Sequence, residues 1–279
     1  MTTKLVAQMT NQEHNQVSNQ GMSQSPLVIK IGGAIMESTD AQISLFNTIK
    51  KLQKQNRNVV IVHGGGCVVD QQLAAAGFVS DKIDGLRVSS PEHMDIIVGA
   101  LSGSVNKNLV SMASSCGISS IGLALHDGNM IKCVAADAKL GCVGIPQTND
   151  HTTLEALMQA GNLVFISSIG SLANGQLVNV NADDAAVAIS ELIDAELVLL
   201  TDVAGVKGKD DEYLAELNNE QAQQLIDEGI INGGMIAKVR AAFAAATQLR
   251  RSIAVASWKT PEQLLLLQNG QVIGTRINP

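Results

Sequence analysis

Lys30 stands in an otherwise apolar run, Leu27-Val28-Ile29-Lys30-Ile31, that ends on Gly32-Gly33. A lysine inside such a run is costly to bury unless an anion pairs with it. Lys30 therefore either reaches solvent from a sheet edge or meets a bound anion. A second apolar run, Val59-Val60-Ile61-Val62, ends on His63-Gly64-Gly65-Gly66. Glycine lets peptide N–H groups approach an anion closely and permits φ > 0. Two such loops at the carboxyl ends of neighbouring strands make one phosphate-sized cradle, where open α/β sheets bind ligands.

Two more clusters carry the same signature. Asn179-Val180-Asn181-Ala182-Asp183-Asp184 spans a predicted strand-to-helix junction. Capping free helix N–H groups needs one polar residue, and this segment supplies more than that. Asn232-Gly233-Gly234 enters a predicted helix whose second turn carries Lys238, at an N-terminus suited to phosphate. The familiar phosphate loops are absent. No G-x-x-x-x-G-K-[ST] occurs, and after Gly64-Gly65-Gly66 the third glycine of a dinucleotide fingerprint is replaced by Val69.

The elements that must position these residues alternate between strand and helix. Helices are predicted over 40–56, 67–76, 90–116, 152–160, 182–193, 217–228 and 235–251, with Ser90 and Pro91 as cap and first residue of the third. Strands are predicted over 27–31, 58–63, 118–125, 163–169, 176–180, 196–201, 253–257 and 272–274, with a hairpin over 130–145. Segments such as Leu197-Val198-Leu199-Leu200 are apolar on both faces, as in a mostly parallel sheet between helix layers. The expected fold class is α/β, a three-layer αβα sandwich around a mostly parallel sheet. Residues 1–25, rich in Gln, Asn and Ser, read as a disordered tail, with Met22 a candidate start.

The chain has 279 residues, of which 46% are hydrophobic and 2% aromatic, and a formal net charge of −7. A core of aliphatic residues is implied, and few aromatics with a negative charge argue against nucleic-acid binding. The four cysteines show no C-x-x-C pair, and the histidines form no metal-binding cluster, so no protein-held metal is expected. No run is long enough to cross a membrane and no signal pattern is evident. These features predict a cytoplasmic protein with reduced thiols.

Taken in order, Lys30-Ile31-Gly32-Gly33, Val62-His63-Gly64-Gly65-Gly66, Gly85-Leu86-Arg87-Val88, Asn179-Val180-Asn181-Ala182-Asp183, Thr201-Asp202-Val203-Ala204-Gly205-Val206 and Gly234-Met235-Ile236-Ala237-Lys238 resemble the amino acid kinase family. The match runs from Pro26 to the C-terminus and is closest to members that act on N-acetyl-L-glutamate. Cys67-Val68-Val69-Asp70 and Ala256-Ser257-Trp258 resemble its compact members. The resemblance implies ATP-dependent phosphorylation of the γ-carboxylate of N-acetyl-L-glutamate, in arginine biosynthesis.

The same resemblance assigns roles. Lys30 and Lys238 stabilise the transferring phosphoryl group, and Asp183 holds those lysines. Gly32, Gly33 and Gly65 offer backbone N–H groups. Gly65, Gly66, Arg87 and Asn179 bind the acylated amino acid, Arg87 as a planar fork on a carboxylate. The loop Asp202-Val203-Ala204-Gly205-Val206-Lys207 and the segment Ile230-Ile231-Asn232 contact the nucleotide, and Mg2+ rides on ATP. Residues 26–194 are expected to form an acetylglutamate-binding and dimerisation lobe, and 195–279 an ATP-binding lobe. The tail does not resemble the N-terminal helix of arginine-inhibited members, so an arginine-insensitive homodimer is expected. The rival readings are family members acting on carbamate, aspartate, glutamate or UMP, and a non-catalytic sensor. The set Lys30, Asp183 and Lys238 speaks against a sensor, which has no need of it.

Overall fold

The structure is a computed structural model that describes residues 25–83 and 85–279. The expectations for residues 1–24 lie outside the described residues.

The strands are, in chain order, β1 (Leu27–Ile31), β2 (Val59–His63), β3 (Lys82–Ile83), β4 (Leu86–Arg87) and β5 (Ser120–Ala124). They continue with β6 (Ile131–Ala135), β7 (Gly144–Thr148), β8 (Leu163–Ser167), β9 (Ile169–Ser171) and β10 (Leu177–Asn179). The last are β11 (Glu196–Thr201), β12 (Glu216–Leu217), β13 (Ile253–Ser257) and β14 (Thr275–Ile277). Eight of them form one sheet in the order β12-β14-β13-β11-β1-β2-β8-β5. Neighbours pair in parallel except β13 with β14. The other six strands make three antiparallel pairs, β3–β4, β6–β7 and β9–β10.

The helices are α1 (Thr39–Lys54), α2 (Gly66–Ala75), α3 (Met94–Val98), α4 (Asn106–Ser115), α5 (Thr152–Gln159), α6 (Ala182–Leu192), α7 (Asn219–Asp227) and α8 (Gly234–Leu249). Period-two alternation sends the two faces of each strand into separate cores. Leu27, Ile29 and Ile31 of β1 join Leu45, Phe46 and Ile49 of α1 and Leu109 of α4. Val28 faces the other way, with Ala185 and Ile189 of α6 and Val239 and Ala242 of α8. Each fully buried aliphatic side chain contributes about 1.5–3 kcal/mol. The small aromatic content is accommodated because both layers are aliphatic; Phe46 and Phe165 meet edge to face at 5.7 Å across one of them. This is the expected α/β architecture.

Two expectations need correction. The predicted helix over 90–116 is one helical stretch with three geometries. A 3-10 turn at Pro91–His93 leads into α3, then a π-helical segment at Gly99–Val105, then α4. The closing strand is β14, not residues 272–274. Gly274 has φ +55 and sits so tightly against β13 that a Cβ would overlap Val255, so it forms the turn and the strand starts after it.

Candidate active site

β1 lies between β11 and β2, so the chain leaves it in opposite directions along the sheet. A crevice opens at such a switch point, beyond the carboxyl ends of the strands. Lys30 is therefore on an interior strand, which removes the sheet-edge reading. Its register puts it on the same face as Val28, toward α6, and its side chain is 20% exposed. Lys30 Nζ meets Asp183 Oδ1 at 2.8 Å.

Asp183 is placed by local chemistry. Asn181 caps α6 by accepting from the Asp183 and Asp184 amides, at 2.7 and 3.3 Å. The helix thus starts where its positive end faces the crevice, with Asp183 in the first turn. Lys238, in the second turn of α8, is held differently. It pairs with Asp202 and donates to Thr201 Oγ1 at 3.2 Å, both at the carboxyl end of β11. Asp183 thus orients one lysine and Asp202 the other. The Lys238 ammonium and the Thr201 hydroxyl pull the Asp202 carboxyl down to about 2. With side chains 44% and 56% exposed, the Lys238–Asp202 pair contributes about 0–1 kcal/mol to stability, so its effect is on where the ammonium points.

These groups line a cleft of about 350 Å³, together with Gly32, Gly33, Ala34 and Trp258. The Trp258 amide donates to Thr201 O at 3.0 Å, which fixes the far wall. A second cavity of about 200 Å³ adjoins it across the first turn of α6, since Asn181 and Ala182 line the second and Asp183 the first. Gly64, Gly65, Gly66, Arg87 and Asn179 all line this second cavity. Gly65 has φ +156, and a Cβ there would press on Leu101 and Val105 of the π-helical segment, so the loop requires glycine. Such π-turns are frequent at functional sites.

Arg87 is half-buried at the end of the β3–β4 hairpin. Its guanidinium is held by the Asp70 carboxylate and the Ser80 hydroxyl, and donates to Gly66 O at 3.2 Å. The Arg87 contact holds the Asp70 carboxyl below its ordinary range. Asn179 donates through Nδ2 to Ser89 Oγ at 3.1 Å, which leaves its carbonyl oxygen for another partner. Ser89 is fully buried and also donates to Arg87 O at 3.4 Å, so one hydroxyl ties the two residues together.

The remaining sequence-predicted residues flank the first cleft rather than line it. Val203, Ala204, Gly205, Val206 and Lys207 follow Asp202 in the loop after β11. The Val206 amide donates to Thr275 Oγ1 at 2.8 Å. Lys207 pairs with Asp211 at 2.6 Å and lies 5.8 Å from the Tyr213 ring centre. Ile230, Ile231 and Asn232 precede α8; Ile231 is buried, and Asn232 donates to Gly229 O at 3.0 Å. Sequence reading missed the anchoring of Lys238 by Asp202, the wall made by Trp258, and the supports Asp70 and Ser89. All depend on partners distant in sequence.

Comparison with known proteins fits this arrangement. A family model described as the amino acid kinase family matches residues 25–257. The chain belongs to the amino acid kinase family. Among relatives in it, the chain is 58% identical over 254 residues to an acetylglutamate kinase of Colwellia psychrerythraea, covering 91% of this chain and 97% of that one. It is 46% identical over 255 residues to an acetylglutamate kinase of Moritella profunda, covering 91% and 97%. Among solved structures, smu.665 from Streptococcus mutans UA159 superposes with a TM-score of 0.74 at 28% identity, covering 90% of this chain and 98% of that one.

Proposed function

We infer that this amino acid kinase family member transfers the γ-phosphoryl group of ATP to the γ-carboxylate of N-acetyl-L-glutamate. The product is N-acetyl-L-glutamyl 5-phosphate, an acyl phosphate, formed as the second step of arginine biosynthesis. One observation carries the reading. A cleft with two lysine–carboxylate pairs adjoins a cavity built from a glycine loop, an arginine and an asparagine. The names of the similar proteins from Colwellia and Moritella support the same substrate.

The chemistry asks for charge management rather than proton transfer. A side-chain carboxylate with a pKa near ~4.3 is already ionised at neutral pH, so the acceptor needs no general base. The obstacle is repulsion between that anion and the triphosphate, met by lysines and backbone dipoles aimed at the transferring group. Lys30 approaches from β1 and Lys238 from α8, with the α6 N-terminus between them. Asp183 is a positioning group for Lys30, not a base. Gly32, Gly33 and Gly65 present amide N–H groups to phosphoryl or substrate oxygens. Gly65, Gly66, Arg87 and Asn179 hold the acylated amino acid. The 202–207 loop and residues 230–232 hold the nucleotide.

Mg2+ bound to ATP supplies charge neutralisation across the phosphates. The residues present suit an ion carried by the nucleotide. Asp183 and Asp202 are engaged by lysines, and among the described residues no three His, Cys, Asp or Glu side chains group as a metal site. Residues 26–194 as the acetylglutamate lobe, 195–279 as the ATP lobe, and assembly as a homodimer are parts of the same proposal. A cytoplasmic location is a further part, supported by four free cysteines. Among the described residues no helix is long and apolar enough to cross a membrane.

The test is coupled ADP release with Mg-ATP and N-acetyl-L-glutamate, L-glutamate, L-aspartate or carbamate offered in parallel. Turnover with acetylglutamate alone is expected. Turnover with another acceptor moves the substrate, and nucleotide binding without turnover supports a sensor.

A further inference from the structure

His63 is a fully buried titratable group to which the proposed reaction gives no role. It ends β2 and immediately precedes the glycine loop. Its ring Nδ1 lies 2.8 Å from Gly64 O, and its Nε2 lies 3.0 Å from Asn106 Nδ2. A carbonyl oxygen only accepts and an amide NH2 only donates, so Nδ1 carries the proton and Nε2 is bare. Asn106 is equally buried and has no freedom to exchange its amide atoms. Its Nδ2 also donates to Phe165 O at 3.2 Å, and its Oδ1 accepts from Lys107 Nζ at 3.0 Å. Gly122 leaves room for that oxygen; a Cβ there would overlap it.

The carbonyl that His63 holds belongs to the peptide unit whose N–H is that of Gly65. In a trans peptide the two groups point in opposite directions, and the chain has no cis bond among its described residues. Fixing Gly64 O against the protein interior therefore fixes the direction of the Gly65 N–H. The flanking backbone groups are tied by their own bonds, Gly64 N–H to Ile31 O at 3.2 Å and Val69 N–H to Gly65 O at 3.0 Å, while the Gly64 carbonyl between them meets the His63 ring.

We propose that His63, braced by Asn106, is a positioning residue that locks the Gly64–Gly65 peptide plane and aims the Gly65 amide at the transferring phosphoryl group. The inference rests on the proposed reaction. Asn106 opens α4 directly after the π-helical segment, whose Leu101 and Val105 pack on Gly65, so loop and brace share one support. Burial, partly offset by the contact with the Gly64 carbonyl and assisted by the Lys107 charge, lowers the imidazole to about 4, so the ring stays in the neutral form that this geometry requires.

Three measurements test it. In wild-type protein at neutral pH, long-range 15N–1H correlations of His63 are expected to show the Nδ1–H tautomer. The Nε2–H tautomer or an imidazolium would overturn the proposal whatever the substrate proves to be. Next, His63→Asn places an amide donor where Nδ1 was, whereas His63→Gln reaches toward Asn106 and releases Gly64. With Mg-ATP and N-acetyl-L-glutamate, His63→Gln is expected to lose kcat by about 10–100-fold with both KM values changed by less than about 3-fold. His63→Asn is expected to keep kcat within about 5-fold. Equal activity of the two variants, or a loss confined to KM, contradicts the positioning role. If a variant does not fold, the wild-type tautomer alone decides. Absence of turnover by the wild-type chain refutes the reaction instead, and leaves the tautomer measurement valid.

Discussion

Lys30 Nζ lies 2.8 Å from Asp183 Oδ1, joining the central strand of the sheet to the first turn of α6. Lys238 has a separate anchor in Asp202, so the two ammonium groups are held from different elements. Asp183 thereby fixes Lys30 beside the glycine pair Gly32-Gly33, and Asp202 fixes Lys238 across the cleft.

Lys30→Arg keeps the charge but changes its shape and reach. A contact that strengthens only in the transition state affects kcat. The variant is expected to lose kcat by about 100-fold while KM for both substrates moves less than about 3-fold. Steady-state kinetics with each substrate varied checks this; an unchanged kcat removes Lys30 from the chemistry.

Arg87 faces the second cavity from β4, steadied by Asp70 and Ser80. Loss of one carboxylate contact costs about 1.5–3 kcal/mol, so Arg87→Ala should raise KM for N-acetyl-L-glutamate by about 10–100-fold. KM for ATP should stay within about 2-fold. A change confined to the ATP KM shows that Arg87 belongs to the nucleotide side.

Asp202→Asn replaces the carboxylate that orients Lys238 with a neutral amide, which weakens that contact. Loss of that orientation is expected to lower kcat by about 10-fold with the acetylglutamate KM unchanged. The Asp202 carboxyl is lowered to about 2, so it is ionised in the folded protein throughout the range above its ordinary pKa. Its contribution to stability is present there and is lost only as the pH falls toward about 2. Comparing the stability of wild type and variant from neutral pH into acid reads this: the difference is expected to be constant down to about pH 4 and to shrink toward pH 2, and a difference that persists undiminished at pH 2 contradicts it.

His63 gives the same direction in a higher pH window. Its pKa falls from 6.5 to about 4 on folding, so between those values the unfolded chain binds a proton that the folded chain does not. Stability therefore rises with pH across that window and is lost as the pH falls from 6.5 toward 4. At 1.36 kcal/mol per pKa unit the loss attributable to His63 is about 3 kcal/mol. Denaturant unfolding of wild type and His63→Asn at pH 5 and pH 7 isolates it. Identical pH dependence of the two proteins contradicts the assignment.

Much of this was readable in the chain because the informative residues are local. Gly32-Gly33 and Gly64-Gly65-Gly66 each close an apolar run, and Asn181 caps the helix that carries Asp183 within a few residues. Lys30 remained ambiguous until the strand order put β1 inside the sheet, since no local pattern distinguishes an interior strand from an edge. Lys238–Asp202 and His63–Asn106 join residues 36 and 43 positions apart, so folding alone brings them together. The break at Gly99–Val105 had a local signal in Gly99 and Gly103, but helix caps at Ser90 and Pro91 favoured one uninterrupted helix. At Gly274 the steric demand of β13, invisible in sequence, decides where β14 begins.

The central claim is that the γ-carboxylate of N-acetyl-L-glutamate becomes an acyl phosphate in this cleft. Hydroxylamine converts acyl phosphates to hydroxamates, so trapping in the presence of Mg-ATP and N-acetyl-L-glutamate reads the product itself. The expected result is a hydroxamate on the γ-carboxyl, formed in equal amount to ADP and abolished by omitting either substrate. ADP release without hydroxamate, or hydroxamate from another acceptor only, contradicts the account.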